Sequence, residues 1–241
     1  MIDMQEFSLT AYKAIIQEFV QRDYKISQYD EVVSKKRHLV LRHDIDFDLE
    51  LAVKMAEVEA AQGWSTTYYI LLRTEFYNLF SFAGLKLLKE IEGLGHTVGL
   101  HFDASLYRAE TSHVQKAVLN ECAILESVLD KPVRTFSFHR PNPNLLDHGF
   151  QVEGLINAYD KKFFDEIAYC SDSRGEWRFG HPLDHVCINK GHAMQLVTHP
   201  IWWAEDGDTP QSKCAKFLDR RYDIFDKEAA ANCLSYTPRR F

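Results

Sequence analysis

The sequence predicts a single α/β domain whose parallel strands form a barrel, and three observations carry that expectation. Stretches of strand-like and helix-like apolar period alternate from end to end of the 241 residues, with no Ser/Pro-rich linker between them. No strand opens into a glycine-rich phosphate turn, which argues against a doubly wound nucleotide-binding sheet. Titratable residues fall repeatedly where strands end, and in a parallel barrel the strand C-termini meet on one face.

Taken in order, residues 8–23 place Tyr12, Ile15, Ile16, Phe19 and Val20 on one helical face, with Ser8 as N-cap. Residues 37–41 read as a buried strand that runs into Arg42-His43-Asp44-Ile45-Asp46. Asp48 is placed to cap a helix that buries Leu51, Met55 and Val58 and stops near Gly63. Residues 65–72 form the second strand; Leu85, Leu88 and Ile91 mark a helix that ends at Gly93-Leu94-Gly95; residues 96–103 form the third strand. A long amphipathic helix follows over Thr111–Leu129, and Pro132 forces the chain out of it. The fourth strand is 135–139, followed by a loop at 140–143, a weaker helix at 153–161 and a fifth strand near 167–170. Residues 171–191 read as a long polar loop carrying short strands, one of which can supply a seventh. The sixth strand is 193–198, and 211–234 return to helix. One barrel domain is therefore expected over 1–241, with a helical extension at 1–36 and a helical region at 205–241.

The formal charge of -7 argues against a broad nucleic-acid or anionic-membrane surface. No stretch approaches the length that spans a bilayer, and the opening residues lack the basic and apolar pattern of a signal peptide. The five cysteines show no CxxC spacing, so neither a disulfide framework nor a thiolate zinc site is expected. Reduced thiols in a cytoplasmic protein are the simplest reading.

The strand ends deliver Asp44 and Asp46, then His101 and Asp103, then His139 and Arg140, then Asp172, then His199. Residues two apart on a strand share a face, so Asp44 and Asp46 form a carboxylate pair, and either His101 or Asp103 is placed to ligate. Like charges so close call for a cation between them, and imidazole with carboxylate is the donor set of zinc and other first-row divalent metals. Such an ion activates water, a carboxylate can take the proton, and a histidine can protonate a leaving amine. Together these describe hydrolysis of an amide or ester.

Arg42-His43-Asp44-Ile45-Asp46, Gly95-His96-Thr97-Val98-Gly99-Leu100-His101, Arg140-Pro141, Asp172-Ser173-Arg174-Gly175-Glu176-Trp177 and Leu196-Val197-Thr198-His199 resemble, in this order, the five motifs of the polysaccharide deacetylase superfamily. The resemblance implies a distorted seven-stranded (β/α) barrel and metal-dependent removal of an N-acetyl or related acyl group from a sugar. It further implies the branch of short members associated with bacterial surface-polysaccharide synthesis. The substrate would be an acylated sugar, nucleotide-sugar or lipid-linked saccharide, and the ion one divalent metal, foremost zinc, with nickel, cobalt, manganese or iron as alternatives.

By the same resemblance Asp44 is the general base, Asp46 and His101 are metal ligands, His199 is the general acid and Arg140 orients the base. Trp177 and Asp172 are expected on the substrate side, Trp177 as a wall of the acyl pocket. The chain departs from the family pattern at two places. Ile45 separates two aspartates that are usually adjacent, and Ser105 stands where a second histidine is usual. His139 is the replacement ligand expected, with Asp103 second. His43 and His96 are expected to be structural, and His181, His185 and His192 are loop histidines held in reserve. A sugar-binding barrel without turnover and another metal-dependent amidohydrolase are the competing readings.

Overall fold

The computed structural model describes residues 6–107, 110–140 and 149–238. Eight parallel strands, β1 (Lys25–Ile26), β2 (His38–Ile45), β3 (Thr67–Leu71), β4 (Thr97–Phe102), β5 (Thr135–Phe138), β6 (Ile156–Asn157), β7 (Ala168–Ser171) and β8 (Met194–Thr198), make one sheet. Its path is β6-β5-β4-β3-β2-β8-β7, a curled seven-strand half-barrel. β1 adds to the first half of β2, pairing Lys25 with His38 and Ile26 with Leu39, and β3 takes over from Arg42 onward. The long helices are α1 (Leu9–Gln21), α2 (Leu49–Ala60), α3 (Phe82–Gly93) and α4 (Thr111–Leu129), with a C-terminal helix Pro210–Asn232. None is long and apolar enough to cross a membrane.

The two-residue period of the strands sorts the side chains. On β2, Leu39, Leu41 and Ile45 belong to the clusters beneath the helices, whereas Val40 faces Tyr29, Tyr69 and Ala193 inside the curl. β4 and β5 divide in the same way: Leu100, Phe102, Phe136 and Phe138 pack under the helices, and Gly99, His101, Ser137 and His139 take the other parity. Gly99 is required there, because a Cβ at this position would lie 2.6 Å from the Tyr69 ring and 2.9 Å from Thr135. Gln195 of β8 ties the curl across its open side, donating to the carbonyls of Ala158 and Phe163 and accepting from the Tyr29 hydroxyl.

Ser8 and Asp48 cap α1 and α2 as expected, accepting from Ala11 N and Glu50 N. Three expectations need correction. Residues 153–161 are not a helix: Gly154 adopts φ 80°, and Asn157 closes a turn, its amide donating to Phe150 O and its carbonyl accepting from Tyr159 N. This stretch supplies β6 instead. Among the described residues 171–191 hold 3₁₀ turns and the helix Val186–Lys190, with no strand after β7 ends at Ser171. The segment expected as purely helical before residue 37 contributes β1. Two-residue strands are too short to show a period, which is why they escape sequence reading. The loop expected at 140–143 lies outside the described residues beyond Arg140.

Candidate active site

β2 ends by splitting its motif between two faces. Ile45 is buried in the core under α2 and α3, so Arg42, Asp44 and Asp46 share the inner face. Asp46 stands just past the strand, at the mouth. β4 brings His101 and the end of β5 brings His139 to the same point. His101 Nε2 lies 3.1 Å and His139 Nδ1 3.0 Å from Asp46 Oδ1, and the two ring nitrogens are 3.3 Å apart.

Asp46 Oδ1 is buried and nevertheless makes no hydrogen bond. Burial would raise the pKa of this carboxyl, yet His101, His139 and His199 hold it well below the ordinary carboxylate range. Burial would lower His139, and the Asp46 carboxylate raises it instead. His101 Nδ1 lies 2.7 Å from Ser137 Oγ, and in the tautomer where Nδ1 donates to it the Nε2 lone pair is directed at the cluster. Among the described residues these three side chains are the one group whose donor atoms lie close enough together to hold a metal, all within 4.8 Å. Two imidazole nitrogens and an orphaned carboxylate oxygen fit a first-row divalent ion.

Asp44 lies behind them, its Oδ2 3.7 Å from His101 Nε2. Its partner corrects the sequence expectation. Arg42, on the same strand face, donates to both carboxylate oxygens at 2.8 Å and is completely buried, with its guanidinium over the Tyr159 ring at 4.6 Å. Burial would raise the Asp44 pKa; Arg42 first, then His101 and His199, lower it. Arg140 is exposed, and among the described residues the carboxylate it reaches is Asp103, at 4.0 Å. A strand position two residues from Asp44 suits a bidentate pair better than a loop arginine, and the i, i+2 spacing was the available signal.

His199 follows β8, its Nε2 3.8 Å from Asp46 Oδ2. Asp172 at the end of β7 accepts from His199 Nδ1 at 2.6 Å and from its backbone N at 3.0 Å. Burial alone would depress this imidazole, but Asp172, aided by Asp46 and Asp44, holds its pKa up at about 9. Asp172 is itself fully buried and also accepts from Trp203 Nε1 at 2.6 Å. It lies behind His199 and lines none of the cavities that open at Asp46, where the sequence led it to be expected on the substrate side.

Trp177 is also displaced from its expected role. Its ring packs on Phe7, Trp203 and His181, behind Asp172, and it lines none of the cavities that open at Asp46. Trp203 and Trp202 are buried on the short helix Pro200–Ala204. Asp103, the second-choice ligand, accepts from Ser105 N and stands outside the cluster. His43 and His96, expected to be structural, are buried away from the cluster: His43 meets Glu59 and Thr198, and His96 meets Thr66 and Ala56 O. His181 and His185 cap short turns.

Sequence reasoning left Arg42, Ser137 and Trp203 without these parts. Ser137 and Trp203 meet their partners across 36 and 31 residues, a separation that no local pattern reports, whereas Arg42 stands two residues from Asp44.

No family model and no curated protein matches the sequence. Solved structures do resemble it. IcaB from Ammonifex degensii is 15% identical over 56% of this chain and 69% of that one, with a TM-score of 0.44. A family 4 carbohydrate esterase from Bacillus anthracis is 13% identical, covering 86% of this chain and 85% of its own, at 0.44. The deacetylase PplD from Streptococcus pyogenes, in complex with acetate, is 12% identical over 79% and 80%, at 0.47. Likeness at this level concerns the course of the chain and not its chemistry.

Proposed function

We propose that the chain is a metal-dependent deacetylase that hydrolyses an N-acetyl or related acyl group on a saccharide. The observation that carries this reading is Asp46 Oδ1, buried without a hydrogen bond between the nitrogens of His101 and His139, next to the His199–Asp172 pair. Asp46, His101 and His139 would hold the ion. When bound, it supplies Lewis acidity toward a water and toward the acyl carbonyl oxygen.

The protein's own groups then divide the proton traffic. Asp44, kept ionised by Arg42, accepts the proton of the attacking water. Its depressed pKa makes it a weak base that gives the proton up readily. His199 enters protonated because Asp172 stabilises the imidazolium, and its Nε2 delivers a proton to the amine nitrogen as the C–N bond breaks. Trp203 fixes Asp172 and so the ring orientation of His199. Water is consumed, and acetate and a free amine are released.

His139 standing where a third donor is needed supports turnover over the reading as a sugar-binding barrel without activity. A single three-donor group among the described residues supports one ion over a two-metal hydrolase. A place in surface-polysaccharide assembly rests on the motif resemblance. Elemental analysis and acetate release from N-acetylated saccharides test the proposal. One divalent ion per chain, with release abolished in Asp46→Asn, is expected. A chain that takes up no metal, or an Asp44→Asn variant that hydrolyses at the parent rate, would overturn it.

A further inference from the structure

A cavity of about 620 Å³ opens from Asp46, His139 and His199, within the range of small-molecule sites. Arg140, Arg174 and Arg178 line it. In a chain of net charge -7, this cavity is lined by three guanidinium groups against a single carboxylate, Asp46. Among the described residues, Arg140 reaches a carboxylate only at 4.0 Å, and neither Arg174 nor Arg178 reaches one. All three are exposed at the cavity, where their donors are available to an anion.

Arg174 is placed with particular care. It also lines the second cavity at Asp46 and His199, so it stands on both flanks of the candidate reaction centre. Its backbone takes the left-handed conformation, φ 66°, which side chains other than glycine resist. The turn is pinned from behind: Gly175 lies so close to the Pro210 ring that a Cβ would come within 2.5 Å of it.

The lining is also aromatic. Tyr159, Phe164, Tyr169 and Phe179 run ring to ring with centroid spacings of 5.5, 4.7 and 5.6 Å. Aromatic faces bind sugar rings, whereas arginine forks match phosphate oxygens. Three guanidiniums exceed what one carboxylate asks for and suit the multiple charge of a diphosphate.

Building on the deacetylase reading, we infer that the saccharide bound here carries a phosphate or diphosphate group, which Arg174, Arg178 and Arg140 hold while the sugar lies along the Tyr159–Phe179 wall. Nucleotide-linked and lipid-linked sugars share this chemistry.

Calorimetry on the full zinc-loaded chain, with acetate release not used as the readout, tests the inference. The probes are UDP-N-acetylglucosamine, a short-chain prenyl diphosphate N-acetylglucosamine and neutral N,N′-diacetylchitobiose. At least one diphosphate sugar is expected to bind roughly tenfold or more tightly than the neutral one, with a margin that shrinks as salt rises. Which of the two carries the margin identifies the carrier. Combined Arg174→Gln and Arg178→Gln substitutions are expected to erase the margin while zinc content and melting temperature stay at parent values. Equal affinity for all three probes, or a loss of affinity shared equally by neutral and charged sugars, overturns the inference. Arginine-dependent binding without any deacetylation would sustain it and sink the deacetylase reading; acetate release with no preference for charge would do the reverse.

Discussion

Two carboxylate–histidine clusters sit on opposite faces of β2, and they differ in their access to the cavities. Under the helices, Glu59 of α2 accepts from the hydroxyls of Tyr12, Tyr68 and Thr66 and faces His43 Nε2 at 2.8 Å, with His96 at 3.7 Å. Every member is buried. On the inner face, Asp46 has the company of His101 and His139 but keeps one oxygen without a hydrogen bond, and three cavities open onto it. Residue types alone do not separate a structural network from a reactive one. Access does: cavities open at Asp46, and none of them is lined by Glu59, His43 or His96.

The comparison predicts that damage on the inner face removes chemistry and leaves the fold, and that damage around Glu59 does the opposite. The largest effect is expected for His101→Ala. Losing an ion that supplies several kcal/mol of transition-state stabilisation should cut kcat by roughly three orders of magnitude or more and empty the metal site, with the melting temperature nearly unchanged. Activity that survives with full metal content would break the contrast. Next comes His199→Gln, which removes the proton donor but no ligand. Activity should fall about 10²-fold or more while elemental analysis still finds the ion.

Glu59→Gln inverts the pattern. Removing the charge from a closed, buried network should cost about 3 kcal/mol, or roughly 10 °C of melting temperature for a chain this size, with metal content intact. The cost should also depend on pH. Burial raises the Glu59 pKa, but His43 and the tyrosine hydroxyls outweigh it and set the folded value below the ordinary 4.5. A depressed carboxylate stabilises the fold above its unfolded pKa, and that contribution fades as pH falls below 4.5 toward the folded value. Thermal melts of parent and variant should therefore converge in acid and separate at neutral pH. The smallest effect is expected at Ser137→Ala: with His101 Nδ1 unheld, metal affinity should weaken by about tenfold, measured by competition with a chelator, without loss of fold.

The fold was legible wherever an element is long enough to show a period. Thr111–Leu129 is helical over the whole span expected, and the capped starts of α1 and α2 are where Ser8 and Asp48 put them. β1 and β6, at two residues each, were not legible, because two positions cannot display alternation. The same limit governs the site. Residues at strand ends could be gathered from the sequence, since a parallel sheet carries them to one edge. Their partners could not, because which arginine reaches Asp44 depends on facing and distance.

By itself the sequence determined the alternation of strand and helix, the polar strand ends, and the spacing that puts Asp44 and Asp46 on one face with Ile45 turned into the core. These follow from the two-residue period of a strand, a local property of the chain. Only the tertiary structure decided that Arg42 and not Arg140 grips Asp44, that Asp172 is buried behind His199 under Trp203, and that His139 stands across from His101. The first is a choice between a strand neighbour and a distant loop arginine, and the other two join side chains brought together by sheet curl and packing from positions far apart in sequence; no local pattern encodes a distance across a barrel mouth.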